Sequence, residues 1–364
     1  MAQVNPKNER LKRQFFGFLK EAEGRAEATI NAVDKAICLY EEFSGYESFA
    51  LTSEKASQFK AWLRRRTHRG KPLSLATYHA YLRHLRRFFI WLSAQPGYKS
   101  RITSNAVAYL NISLKEERMA TQQTPRNYPS LEYVVQLASS ITDDSEVGRR
   151  DQALIAFTFL SGMRDSAVAS LPLGCFDENT LQLTQDPRLG VQTKFAKYIP
   201  TTLLPLDQRL IEYLLTWVRY LKHKGFGSQD PLFPRSKPDQ GKDGLAFETP
   251  TEVERAYWRG TGSIRTIFRR RAEAANLPYY PPHTFRHAMF HEALKYCRDG
   301  QQMRALSQNL GHEHLATSLA HYSNLTPQQL HEILSNMDFS TKEPQDDEKL
   351  RAVKKLLDEY YKTL

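Results

Sequence analysis

Apolar residues recur at helical spacing along much of this chain. Between residues 8 and 44, Leu11, Phe15, Phe18, Leu19 and Ala22, then Ile30, Val33, Ile37, Leu39 and Tyr40, follow a period of about 3.6 with few turn residues after Gly24, which predicts two helices. Thr52 and Ser53 offer caps for a third helix that the cluster Arg69-Gly70-Lys71-Pro72 stops. From Ser74 as N-cap, Leu75, Tyr78, Leu82, Leu85, Phe89 and Leu92 form one apolar stripe, while Arg83 and Arg87 project from the other side. The period fails in LKEERMATQQTPRNYPS (114–130), which reads as a linker. Beyond it LEYVVQLASSI and RRDQALIAFTFLSGM are helical, and TLQLTQD and KFAKYIPTTLLPL alternate as short strands about a turn at Pro187-Arg188-Leu189-Gly190. Residues 207–224 are helical, 225–250 form a long Gly/Pro/Asp/Ser-rich surface loop, and helices follow over 261–275, 284–297, 301–309 and 315–335. A polar stretch, STKEPQDDEK, precedes a terminal amphipathic helix, LRAVKKLLDEYYKTL. The expectation is a mainly α chain: a helical domain over 1–118, a linker over 119–130, an α+β domain with a small antiparallel sheet over 131–339, and a tail over 340–364.

Composition narrows the class. The 364 residues, 41% hydrophobic and 25% charged, suffice for two cores and exclude collagen, wholesale disorder and a bundle of membrane spans. Cys38, Cys175 and Cys297 are far apart and form no CxxC pair, so neither a disulfide framework nor a zinc site is expected, and a reducing cytoplasm suits the chain. The polar N-terminus and the lack of a long apolar run predict neither export nor a membrane anchor. The net charge of +11 is focused: residues 51–100 hold eleven Lys/Arg against one Glu, and residues 251–300 hold nine against five acidic residues. Such a concentration predicts a nucleic-acid partner, the plain alternative being a generally basic surface.

Four short segments could carry chemistry. In His283-Thr284-Phe285-Arg286, following Pro281-Pro282 where a helix begins, imidazole and guanidinium share the first turn with the positive end of the helix dipole, a seat for phosphate; a solvated Arg beside an edge His is the plain alternative. Leu160-Ser161-Gly162-Met163-Arg164 closes an apolar helix with a Gly that permits close backbone approach and an Arg either aimed at a ligand or paired with Asp165. Lys194 and Lys197 sit on the strand-turn-strand stretch, where most lysines are simply solvated. Gly311-His312-Glu313-His314 leads toward His321-Tyr322, and a structural Tyr is the commoner role for such a residue.

In this order, Arg164, Lys194, His283-x-x-Arg286, Gly311-His312 and Tyr322 resemble the tyrosine recombinase (phage integrase) family, whose catalytic set runs Arg, Lys, His-x-x-Arg, His or Trp, Tyr. SLATYHAYLRHLRRFFIWL is similar to the last long helix of that family's N-terminal core-binding domain, and the resemblance covers about residues 8–335. It implies a core-binding domain followed by a catalytic domain, and a site-specific recombinase that forms a 3′-phosphotyrosine on Tyr322 without metal, cofactor or ATP. Arg164 and Arg286 would clamp the phosphate, His283 accept the tyrosyl proton, His312 hydrogen-bond the phosphate and Lys194 protonate the leaving 5′ oxygen. The partners implied are a double-stranded DNA recombination site, a tetramer on two such sites, and accessory DNA-bending proteins, in a nucleoid-associated cytoplasmic setting. Arg64, Arg65, Arg66, Arg69, Lys71, Arg83 and Arg87 would contact phosphates.

The chain departs from the family pattern in places. Ala167 stands three positions after Arg164, where an acidic residue is common, so support for Arg164 is expected from Asp165. His312 and Tyr322 are ten residues apart where nine is usual, which keeps His314 and His321 as alternatives, and Lys197 rivals Lys194. The long loop and this spacing favour a mobile-element enzyme. A type IB topoisomerase-like enzyme and an inactive DNA-binding regulator of the same fold remain alternatives.

Overall fold

A computed structural model describes residues 4–68, 70–122, 127–238, 250–313 and 335. The chain divides into two compact units, Met1–Gln123 and Thr124–Leu364. It is mainly helical, with small antiparallel sheets.

In the first unit, α1 (Pro6–Gly17) runs into a π turn (Phe18–Ala22), followed by α2 (Glu27–Phe43), α3 (Ser53–Arg65) and α4 (Leu75–Ser93). The expected caps form: the Thr52 hydroxyl accepts from the Lys55 amide and the Ser74 hydroxyl from the Thr77 amide. The apolar stripe of α4 buries Tyr78, Leu82, Leu85, Phe88, Phe89 and Leu92 against α2, in a core dense in aromatic rings such as Phe15, Phe49 and Phe59. A buried polar knot spans α1 and α2, where Glu41 receives Lys12 (2.9 Å) and Asn8 (3.1 Å) while the Asn8 carbonyl oxygen accepts from the Phe49 amide. A short strand pair and two helices went unread in the sequence. Lys71 and Pro72 of the breaker cluster form β2 (Lys71–Pro72), which pairs antiparallel with β1 (Thr67–His68). After α5 (Ser104–Ala108), residues 114–121 are not part of an irregular linker but a helix, α6 (Leu114–Thr121), started by a capping box of Ser113 and Glu116; it buries no side chain, so it has no apolar stripe to betray it.

The second unit is built around α8 (Glu146–Ser161), whose residues from Ala153 to Ser161 are all buried. A helix apolar on every side must be wrapped, and α7 (Leu131–Ser139), α10 (Gln208–His223) and α12 (Pro282–Leu294) pack on it. Its buried hydroxyls bond within the helix, Thr158 to the Leu154 carbonyl and Ser161 to the Phe157 carbonyl, both at 2.7 Å. After α9 (Asp165–Ala169) comes a three-stranded antiparallel sheet, β3 (Phe176–Asp177), β4 (Gln182–Gln185) and β5 (Ile199–Thr202), in the order β3-β4-β5. Leu183 faces Thr201 and Gln185 faces Ile199. The strands are shorter than their alternation suggested, because residues 187–189 and 194–196 form tight 3-10 turns. The described part of the 225–250 stretch is also not wholly a surface loop: Phe226, Leu232 and Phe233 are buried, and the Leu232 carbonyl accepts from the Trp217 indole at 2.9 Å. Residues between α11 (Gly262–Ala274) and α13 (Gly300–Asn309) complete the core around α12.

One charged cluster inside this unit was not foreseen. Arg150, 2% exposed, gives Nε and Nη2 to Asp151 at 3.0 and 2.7 Å and Nη1 to the Pro234 carbonyl and the Ser236 hydroxyl, both at 3.0 Å. Arg271 of α11 meets the second Asp151 oxygen at 2.8 Å. One carboxylate between two guanidiniums thus ties α8, α11 and the 234–236 segment together.

Candidate active site and nucleic-acid surface

Gly162 ends α8 in the left-handed conformation at φ 58°. A Cβ there would lie 2.2 Å from Met289 Cε and 2.8 Å from Leu310 Cδ2, so glycine lets α8 end hard against α12 and the end of α13. The chain then leaves at Met163, and Arg164, half-buried, is the N-cap residue of α9.

Arg286, one turn into α12, is only 7% exposed. Its Nη1 donates to the Gly162 carbonyl at 2.7 Å and its Nη2 to the Leu310 carbonyl at 2.6 Å. Nη2 also lies 3.1 Å from His312 Nε2, and His312 is 8% exposed. A guanidinium only donates, so Nε2 accepts and the imidazole proton of His312 resides on Nδ1. The solvated Arg286 of the plain reading is overturned: two carbonyls and an imidazole hold its plane rigid where three segments converge. Gly311, at φ 73°, permits the second close approach, since a Cβ there would lie 2.5 Å from Ile199 Cδ1 of β5.

The other expected residues are placed as follows. His283 is exposed on the first turn of α12, three residues before Arg286. Lys194 lies on neither strand; it is exposed on the 3-10 turn between β4 and β5, its Nζ 4.9 Å from the centre of the Phe195 ring. Its rival Lys197 is engaged with Glu313 at 2.5 Å. The Asp165 carboxylate takes Arg265 at 3.0 Å and the Ser166 amide at 3.1 Å, so the support expected from it goes to α11 and to its own helix. Tyr322, His314, His321, Arg69, the helix expected over 315–335 apart from Ser335, and the tail over 340–364 lie outside the described residues. Reading the sequence missed the Gly162 and Leu310 carbonyls, Glu313 and Arg265; Glu313, adjoining His312 in a run of His, was the one with a local signal.

Among the seven cations expected to meet phosphate, Arg64 pairs with Glu116, Arg87 with Glu23, and Arg66 with both oxygens of Glu42 at 2.7 and 2.8 Å. Arg65, Lys71 and Arg83 are exposed, and no carboxylate among the described residues pairs with them.

Residues 131–329 match the family model described as the phage integrase family. This chain is a member of that family. It is similar to the tyrosine recombinase XerC of Corynebacterium efficiens, 24% identical over 287 residues, 77% of this chain and 76% of that one. The fold is similar to that of the XerH site-specific recombinase bound to a palindromic difH substrate, with a TM-score of 0.58 at 19% identity over 92% of this chain and 90% of that one. It is equally similar to λ integrase bound to a COC′ core site, with a TM-score of 0.58 at 13% identity over 93% and 99%. Among the described residues no helix is long and apolar enough to cross a membrane, and no group of His, Cys, Asp and Glu is arranged to hold a metal ion.

Proposed function

We propose that this integrase-family chain is a site-specific DNA recombinase that cuts and rejoins strands through a 3′-phosphotyrosine on Tyr322. The observation that supports the reading is the buried junction of Arg286 and His312, at which Arg286 also donates to the Gly162 carbonyl, two residues before Arg164. Tyr322 Oη attacks the scissile phosphorus and the bond from phosphorus to the 5′ oxygen breaks. His283 takes the phenolic proton, Lys194 supplies a proton to the departing oxygen, and Arg164 and Arg286 stabilise the charge on the non-bridging oxygens. His312 holds Arg286 through Nε2 and donates to the phosphate through Nδ1. Lys194 rather than Lys197 serves as the acid, because Lys197 is held by Glu313. The phosphotyrosine conserves the energy of the phosphodiester, so a 5′ hydroxyl of a second duplex can reverse the step without ATP or metal.

Four copies on two sites, helped by DNA-bending proteins, would exchange the strands, and a mobile element is the setting we favour. The test is an SDS-stable adduct assay in EDTA on nicked duplexes from the DNA flanking the gene, with Tyr322→Phe alongside. Wild type should form a 3′-linked adduct and the variant none. Adducts mapping to two dissimilar sites support integration, whereas a single palindromic site argues for chromosomal resolution. An adduct that persists in Tyr322→Phe refutes the choice of nucleophile.

A further inference from the structure

Phe195 is 78% exposed, more than any other large hydrophobic side chain among the described residues. It and its neighbour both occupy the left-handed region, Phe195 at φ 64° and Ala196 at φ 51°, a conformation that strains side-chain-bearing residues and persists only where the surroundings impose it. The surroundings do so. The Thr193 hydroxyl closes the turn on the Lys197 carbonyl at 2.7 Å, and the Gln192 carbonyl accepts from Ser166 of α9 at 3.2 Å. The Gln192 amide donates to Ser170 at 2.8 Å, and Lys197 reaches Glu313 beside His312 at 2.5 Å. The tip is therefore clamped between the helix that Arg164 begins and the turn that bears His312.

The ring also has a distinctive setting, with Lys194 Nζ 4.9 Å and Lys197 Nζ 5.8 Å from its centre. An exposed aromatic ring on a rigid, positively charged tip beside the candidate site matches a flat π-system of an anionic polymer. We infer that Phe195 is a DNA-binding contact of this chain: its exposed ring stacks on a nucleobase of the bound DNA next to the scissile phosphate, on the turn that carries Lys194. The inference rests on the DNA reading above and adds to it a contact that acts on the base through the aromatic face.

The test uses the full chain and the duplex it enriches from a random-sequence pool, with Phe195→Gly and Phe195→Tyr. Glycine adopts φ 64° without strain, so Phe195→Gly should melt no lower than wild type. It should bind the enriched duplex more weakly, on the order of ten-fold, as expected for the loss of one base stack. The slope of log affinity against log salt should be unchanged, because no phosphate contact is removed. Phe195→Tyr, which keeps the flat face, should retain wild-type affinity. Undiminished affinity in Phe195→Gly, a loss matched by Phe195→Tyr, or a lowered melting temperature in Phe195→Gly would each overturn the inference while leaving the DNA reading intact. A wild-type chain that enriches no duplex would instead overturn the DNA reading, and this inference with it.

Discussion

Substituting Gly162 with Ala tests the geometry of the site most directly, because a single methyl group meets both strain and contact there. At φ 58° an L-residue costs about 1–2 kcal/mol. The new Cβ would stand 2.2 Å from Met289 Cε, 2.8 Å from Leu310 Cδ2 and 3.7 Å from Arg286 Cγ. The methionine tip can turn aside, but it is fully buried and Leu310 is only 1% exposed, so the space must come from the core at about 1–3 kcal/mol. Together the loss should be about 2–5 kcal/mol. Gly190, at φ 88° with nothing within 4 Å of its Cβ position, is the control, and its replacement by Ala should cost the strain alone. With two units in the chain a single unfolding free energy is ill-defined, so the assay is hydrogen exchange of the α8 and α12 amides, read by mass spectrometry. Gly162→Ala should lower their protection well beyond Gly190→Ala, and adduct formation should fall further than DNA binding, because the carbonyl that anchors Arg286 Nη1 shifts. Equal losses in the two variants, or a loss below about 1 kcal/mol for Gly162→Ala, would refute the close approach of α8 to α12 on which the site depends.

Asp151→Asn leaves two guanidiniums, one fully buried, without their shared carboxylate, and should destabilise the second unit by about 3–5 kcal/mol, seen as a lower urea midpoint for its core amides. Burial, with Lys295 adding to it, holds His291 below its ordinary value of 6.5, while the ring stacks on Tyr128 with centroids 4.5 Å apart. The folded pKa is depressed, so the unfolded chain protonates first: this contribution is complete above the unfolded value and is lost as pH falls through the folded one. His291→Phe, which keeps the stack, should flatten the fall of the urea midpoint as pH drops below the ordinary value of 6.5, and an unchanged acid side would refute the assignment. Arg65→Ala and Arg83→Ala should each reduce the salt slope of DNA binding by about one, whereas Arg66→Ala, whose charge is already spent on Glu42, should reduce it less. A uniform effect across the three would show that ion pairing within the unit does not select which cations meet phosphate.

What the sequence determined by itself is what depends on neighbours a few residues away. The caps at Thr52 and Ser74, the stripe of α4 and the apolar run of α8 from Ala153 were legible because helix periodicity and capping involve residues within about one turn, whereas the order Arg164, His283-x-x-Arg286, His312 stood out only through its resemblance to a family pattern. Even local signals failed where nothing apolar backed them: α6 has its capping box but no buried face. Only the tertiary structure decided which partners the charges take. Arg286 meets carbonyls 124 and 24 residues distant, Arg271 meets a carboxylate 120 residues away, and Arg64, Arg66 and Arg87 are drawn to glutamates that no spacing rule connects to them. The same holds for the 3-10 turn that takes Lys194 off the strand and for the left-handed Phe195, whose strain is held by α9 and by the turn at His312. The physical reason is common to all of them. Desolvated charges and strained backbone persist only where distant segments satisfy or hold them, and that pairing exists once the chain has packed.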